Sequence, residues 1–137
     1  MAHLAGSDIL AKILNVSSDE IIHTVIEKLQ KDNPELAKET RDKLFLFEDI
    51  AALDSKILGV ILNNLDKDTL KLSLKHAPPE VLTKIFSAMT ERGAAILKED
   101  LEIMAAVSKE SSKEAQKSIL EKIRELEKKG AISLKRG

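Results

Sequence analysis

Three observations predict that this 137-residue chain is an all-α protein of short helices. Apolar residues recur at helical spacing along nearly its whole length. Only five Gly and three Pro interrupt them, and the interruptions coincide with helix-capping residues. Ser7 is placed to cap a short helix reaching about residue 14. Ser17-Ser18-Asp19-Glu20 has the Ser-x-x-Glu form of a capping box and opens a helix carrying Ile21, Ile22, Val25, Ile26 and Leu29. Asn33-Pro34 pairs an N-cap with a proline at the first helical position, starting a third helix to about residue 43.

Leu44-Phe45-Leu46-Phe47 then alternates without helical polarity and reads as a buried connector. Asp54 and Asp66 cap two helices, one with Ile57, Leu58, Ile61 and Leu62, the next with Leu70, Leu72 and Leu74. Pro78-Pro79 stops the second and starts a helix bearing Val81, Leu82, Ile85, Phe86 and Met89. A further helix is expected over about 90–105. The last is expected to begin at Ser111, with Glu114 completing another capping box, and to keep Ala115, Ile119, Leu120, Ile123 and Leu126 on one stripe until Gly130. Residues 131–134 read as a short extended tail.

One weak repeat is visible. Ile9-Leu10-x-x-Ile13-Leu14-Asn15 recurs as Ile57-Leu58-x-x-Ile61-Leu62-Asn63, and a Pro-Glu step follows each copy at Pro34-Glu35 and Pro79-Glu80. The spacing suits the ~40 to 47 residues of armadillo or HEAT units, whose small helices stack because they cannot bury their own faces. Such solenoids bind more often than they catalyse.

The length suits one medium domain or two small ones. Lys plus Arg (22) against Asp plus Glu (23) leaves a net charge of −1, without the basic surplus that attraction to nucleic acid requires. Three Phe, no Trp and no Tyr leave little surface for stacking bases or flat cofactors. The absence of cysteine removes disulfides, thiolate nucleophiles and zinc-thiolate or iron-sulfur sites, and makes the cytoplasm the default compartment. The aliphatic run at 57–62 is far shorter than the ~20 residues of a membrane helix. Met1-Ala2-His3-Leu4 lacks the start of a secretory signal.

Chemistry is sparse. His3, His23 and His76 fall in unrelated segments without the i, i+4 partner of a helical metal site. Asp66-Lys67-Asp68 lacks the glycine and closing glutamate of a calcium loop and reads as a cap. No nucleophile elbow or phosphate-binding glycine loop is present, and the carboxylates are interleaved with lysines rather than set in apolar pockets. Neither an enzyme nor a bound cofactor or metal is expected.

The helix over 90–105 is the informative one. Ala94, Leu97, Leu101 and Met104 share a core-facing stripe, while Arg92 and Glu99 lie opposite with Asp100 nearby. By periodicity alone these are ordinary solvated charges. Ile96 and Ile103 lie toward the same ridge, however, and apolar residues among charges mark a contact surface.

Leu44-Phe45-Leu46-Phe47-Glu48-Asp49-Ile50 resembles the hydrophobic-Phe-hydrophobic-Phe-Glu-Asp hinge of the flagellar rotor switch family FliG. Leu74-Lys75-His76-Ala77, Met89-Thr90-Glu91-Arg92-Gly93-Ala94-Ala95-Ile96-Leu97, Lys98-Glu99-Asp100-Leu101-Glu102 and Glu114-Ala115-Gln116-Lys117 are similar, in order and spacing, to its C-terminal domain. Asp32-Asn33-Pro34-Glu35-Leu36-Ala37 fits the armadillo-like repeat before the hinge. The likeness runs from about Gly6 to Ile132. It implies an armadillo-like bundle over 1–43, a hinge over 44–50 at Leu44, Phe45, Leu46 and Phe47, and a six-helix torque domain over 51–137, in an α-solenoid-like superhelix. It further implies a rotor component working at the cytoplasmic face of the inner membrane in the flagellar basal body. By the same likeness, Lys75, Arg92, Glu99 and Asp100 occupy the ridge positions that the family uses against the stator protein MotA. The switch protein FliM and the middle domains of neighbouring FliG subunits are further implied partners.

Two departures accompany the likeness. Ala105-Ala106-Val107-Ser108 stands where the family usually has Gly-Pro-Val-Arg, so one ridge cation is missing. The family's N-terminal and middle domains, with their Glu-His-Pro-Gln motif, are not in the sequence, which therefore reads as a C-terminal fragment. Without a stacked neighbour, Leu10, Ile13, Leu14, Ile22 and Val25 are expected to lack cover and to favour homo-oligomers. The alternatives are a divergent paralogue or a regulatory solenoid like the cytosolic domain of MgtE transporters, sensing divalent cations. The even charge balance argues against the MgtE-like reading.

Overall fold

The computed structural model describes residues 6–15 and 17–134. Among them are eight α-helices, one 3-10 helix and no strand: α1 (Gly6–Leu14), α2 (Asp19–Asp32), α3 (Pro34–Lys43), the 3-10 helix (Phe47–Ala52), α4 (Ser55–Asn63), α5 (Lys67–Leu74), α6 (Pro79–Ser87), α7 (Glu91–Ile103) and α8 (Lys109–Lys128). The chain divides into two compact units, 1–46 and 47–137, with the boundary inside the stretch 44–50. His3 lies outside the described residues.

In the first unit α3 packs against both α1 and α2. Ala11, Leu14, Ile22, Leu44 and Leu46 form its core, with Val25 and Ile26 against them. Asn33 caps α3 as expected, its side chain accepting from the Leu36 N–H (3.2 Å), and Pro34 takes the first helical position. Two other caps differ from expectation. Ser7 lies inside α1, fully buried, and its hydroxyl accepts from Lys43 Nζ (2.6 Å), which also pairs with Asp8 (2.6 Å). The α2 cap is Ser18, accepting from the Ile21 N–H (3.3 Å), because Ser17 instead donates back to the Ile13 carbonyl (2.9 Å) at the end of α1. Thr40, on α3, is fully buried, and its hydroxyl has no hydrogen-bond partner among the described residues.

In the second unit α5 packs along α8, α6 packs on the 3-10 helix, and both α4 and the 3-10 helix touch α8. The twenty residues of α8 bury Ser112, Ala115, Gln116, Ile119, Leu120, Ile123 and Leu126 on one stripe. This helix begins two residues before the expected start. The Ser108 hydroxyl accepts from the Ser111 N–H (3.1 Å), and Lys109 and Glu110 are good helix formers, so the earlier serine is the cap. At its other end Gly130 adopts φ +79°, the Gly130 N–H donates to Glu127 (3.0 Å) and the Ala131 N–H donates to Leu126 (2.9 Å). These two bonds form the Schellman closure that glycine permits without a Cβ penalty. The hydrogen bond from Lys129 and the charge of Lys122 hold the exposed Glu125 carboxyl below its usual range.

A buried polar contact fastens α5 to α8. The Ser73 carbonyl has lost its helical donor, because the Ala77 N–H bonds Leu74 instead (3.3 Å). Ser112 Oγ (3.2 Å) and Gln116 Nε2 (3.0 Å) donate to it from α8. Such end-of-helix carbonyls need a partner once buried.

Two stability outcomes follow. Gln116→Leu or Ser112→Ala alone leaves the carbonyl one donor and is expected to cost ~0.5–1.5 kcal/mol, whereas the double variant strands it and is expected to cost more than the two together. Urea unfolding of all three measures the difference. Thr40→Val removes an unpartnered hydroxyl at constant shape and is expected to leave stability unchanged or raised by up to ~1 kcal/mol. A clear loss would show that the hydroxyl is hydrogen-bonded in solution.

Candidate functional site

Helix α7 begins at Thr90, whose hydroxyl accepts from the Gly93 N–H (3.0 Å). A Cβ at Gly93 would lie 3.0 Å from that same oxygen, so the small residue keeps the cap intact. The helix buries only Ala94 and Leu97, with Leu101 and Met104 half-buried. On the opposite side Arg92, Ile96, Glu99 and Ile103 follow one another at i, i+4, i+7 and i+11, a single stripe along the helix. Ile96 is 52% and Ile103 76% exposed, so two isoleucines stand in water between two exposed charges. Arg92 and Glu99 form no ion pair among the described residues.

The other two expected ridge residues are placed differently. Lys75 is half-buried, and its Nζ donates to the Leu101 carbonyl (2.8 Å). Asp100 is half-buried and pairs with Lys71 Nζ (3.4 Å). The expectation that all four charges are largely exposed therefore holds for Arg92 and Glu99 and is corrected for Lys75 and Asp100. Both of the latter lie between α5 and α7, where a neighbouring helix covers them.

Lys71, His76 and Lys98 make further contacts here that the apolar periodicity does not indicate. Lys71 sits one turn before Lys75 on α5, and that i, i+4 spacing was the available signal. His76 Nε2 donates to the Val107 carbonyl (2.7 Å), and Lys98 lies over the Phe86 ring at 5.1 Å from its centroid. A shallow groove lined by Leu74, Leu82, Phe86 and Leu101 runs beside that last contact. His23 is exposed on α2, as expected of a surface residue.

Of the stretch expected as a hinge, Leu44 and Leu46 are buried in the first unit's core. Phe47 is buried at the start of the 3-10 helix, and Phe45 is only half-buried, against the expectation that both rings are buried. The backbone over 44–46 is non-helical as expected, and a 3-10 turn begins at Phe47. Among the described residues, the large apolar side chains without cover in the first unit are Ile9, Ile13 and Ile21. Leu14 and Ile22, expected among the uncovered, are buried, and Leu10 and Val25 are half-buried.

Comparison with known proteins identifies the arrangement. A family model described as the FliG C-terminal domain matches residues 27–134. The chain belongs to that family. It is 40% identical over 134 residues to the flagellar motor switch protein FliG of Thermotoga maritima, and 36% identical over 132 residues to that of Borreliella burgdorferi. Those alignments cover 98% and 96% of this chain but 40% and 38% of the relatives, so the chain spans well under half of their length. The crystal structure of FliG residues 86–343 from H. pylori matches with a TM-score of 0.71 at 28% identity, covering 97% of this chain and 63% of that one. The structure of full-length FliG from Aquifex aeolicus matches with a TM-score of 0.62 at 31% identity, covering 95% of this chain and 40% of that one. No helix among the described residues of this FliG-family chain is long and apolar enough to cross a membrane.

The stripe and the half-buried pair respond differently to charge reversal. Arg92→Glu is expected to change stability by no more than ~0.5 kcal/mol, as surface substitutions do. Asp100→Lys sets a third cation beside Lys71 and Lys75 and is expected to cost ~1 kcal/mol or more, less at high salt. Thermal unfolding of both variants at two salt concentrations is the check.

Proposed function

We propose that this chain is the torque end of a flagellar rotor subunit. It engages the stator protein MotA through the α7 stripe, at the cytoplasmic face of the inner membrane in the basal body. The observation that carries this reading is the row Arg92, Ile96, Glu99, Ile103, exposed along one helix of a FliG C-terminal domain. Opposite charges seven residues apart present a pattern that a partner with reversed signs reads by Coulomb attraction. The isoleucines between them supply apolar contact on an otherwise wet face. No bond is made or broken by this chain, and ion flow through the stator supplies the mechanical work.

Within the ridge, Arg92 and Glu99 are assigned the direct contact, and Asp100 a contribution through the field it shares with Lys71. The uncovered Ile9, Ile13 and Ile21 suit stacking against the middle domain of a neighbouring FliG subunit, and self-association of this chain would use the same face. FliM is the remaining partner, and direction switching the remaining role. The stretch 44–50 serves as the hinge, a few residues between two compact units being the place where backbone rotation is absorbed. A cation-sensing domain of the MgtE kind has no observation in its favour, and a divergent paralogue has only the Ala105-Ala106-Val107-Ser108 departure.

Stability and swimming, measured on the same variants in a cell that uses this protein as its rotor, test the reading. Arg92→Glu and Glu99→Lys are expected to fold normally and impair motility, and a charge reversal in the stator loop is expected to restore part of it. Because Ser108 replaces the family's arginine, Arg92→Glu is expected to cause the larger defect. A variant that folds and swims like the parent removes that residue from the stator contact.

A further inference from the structure

Helix α7 has a C-terminal end that its own sequence does not complete. The Met104 N–H closes onto the Asp100 carbonyl (3.0 Å), but the chain then turns extended at Met104 (φ −66°, ψ 137°). The Leu101 carbonyl is thereby left without the donor that continuing the helix to Ala105 would provide. The last turn carries no basic residue, although cations are favoured where the helix dipole is negative. It carries Asp100 instead, the unfavourable sign for that end.

Helix α5 supplies what is missing. Lys75 Nζ donates to the Leu101 carbonyl (2.8 Å), and Lys71, one turn earlier, pairs with Asp100 (3.4 Å). The next residue, His76, donates to the Val107 carbonyl (2.7 Å), at the far end of the linker between α7 and α8. Packing alone seats α7 weakly, since it buries only two side chains and its main support is α5. Near its middle, Lys98 over Phe86 is a tie to α6.

We propose that Lys75 and His76 are positioning residues that seat α7 by holding the Leu101 and Val107 carbonyls, so that Lys75 acts through α7 rather than by touching a partner. This rests on the reading of α7 as the contact helix, and gives the ridge a division of labour. Arg92 and Glu99 meet the partner, while Lys71, Lys75 and His76 set the angle at which they are presented. An ammonium on a flexible stem suits that role, because it follows a carbonyl through small shifts of the helix.

The chain contains no cysteine, so two can be introduced for spin labels, Ile96→Cys on the stripe and Lys117→Cys at an exposed position of α8. With the parent sequence a single narrow distance distribution is expected between them. Lys75→Met is expected to broaden or shift it and to speed amide exchange at residues 101–104 about tenfold, while the amides of Ile119 and Ile123 keep their protection. Lys75→Arg, which retains a cationic donor, is expected to restore the narrow distribution. Unchanged distances and exchange in Lys75→Met overturn the proposal. Should that variant fail to fold, His76→Ala decides, since the ring is exposed: unchanged exchange at 101–104 and an unchanged distance overturn it equally. No stator is present in these measurements. Loss of crosslinking to the stator loop in Lys75→Met with an unmoved α7 would make Lys75 a direct contact, keeping the proposed function and ending the positioning role. Normal crosslinking of Arg92→Glu, with the positioning by Lys75 and His76 intact, would do the reverse.

Discussion

The buried carbonyl of Ser73 is the constraint on which the second unit depends. It lies at the end of α5, beyond the reach of the helix's own donors, and is closed by Ser112 and Gln116 of α8. A buried carbonyl without a donor is costly, so only one register of α8 along α5 satisfies it. The apolar stripe from Ala115 to Leu126 would tolerate sliding, because dispersion and burial are not directional. The polar contact removes that freedom. It also fixes the end of α5 from which Lys75 and His76 reach outward.

From that fixed point α7 is held by charge and hydrogen bonds more than by a core. Ala94 and Leu97 are its only buried side chains, whereas Lys71, Lys75 and Lys98 each bridge to it, or from it, through a polar or cationic group, and His76 holds the linker that follows it. A helix seated this way keeps most of its surface in water, and the stripe from Arg92 to Ile103 is the result. Apolar packing would have demanded burial of Ile96 and Ile103. Their exposure is therefore consistent with a face whose cover comes from outside the chain.

The first unit shows the opposite limit. Three helices offer little interior, and small units bury a smaller fraction of their apolar surface. Leu14, Ile22, Leu44 and Leu46 occupy what core there is, and Ile9, Ile13 and Ile21 are left outside. The sequence repeat between α1 and α4 does not carry over into packing. Ile13 is 56% exposed while its counterpart Ile61 is 1% exposed, and Leu14 is buried where Leu62 is half-buried. The same apolar letters were turned to different faces because the two helices meet different neighbours.

Local chemistry was enough to write most of the helices from the sequence. Asn33-Pro34, Asp54, Asp66 and Gly130 act on backbone groups within a few residues of themselves, so their effect is encoded where they stand. The amphipathic stripe of α8 and the placing of Arg92 and Glu99 on one face of α7 were legible for the same reason, since 3.6-residue periodicity is a property of the chain alone. What the sequence could not determine was competition between local options and distant partners. Ser7 and Ser17 are good caps by type, yet Lys43 and the end of α1 engage them instead. Ala105-Ala106 favours continued helix, and periodicity carried α7 through residue 105. The structure ends it at Ile103, where the carbonyl that Ala105 would have bonded is taken by Lys75 and that of Val107 by His76. Lys75 and Asp100 became half-buried for the same reason. Propensity differences of a few tenths of a kcal/mol cannot outweigh a charge-assisted hydrogen bond worth ~1.5–3 kcal/mol, and that bond exists only after α5 has been brought alongside.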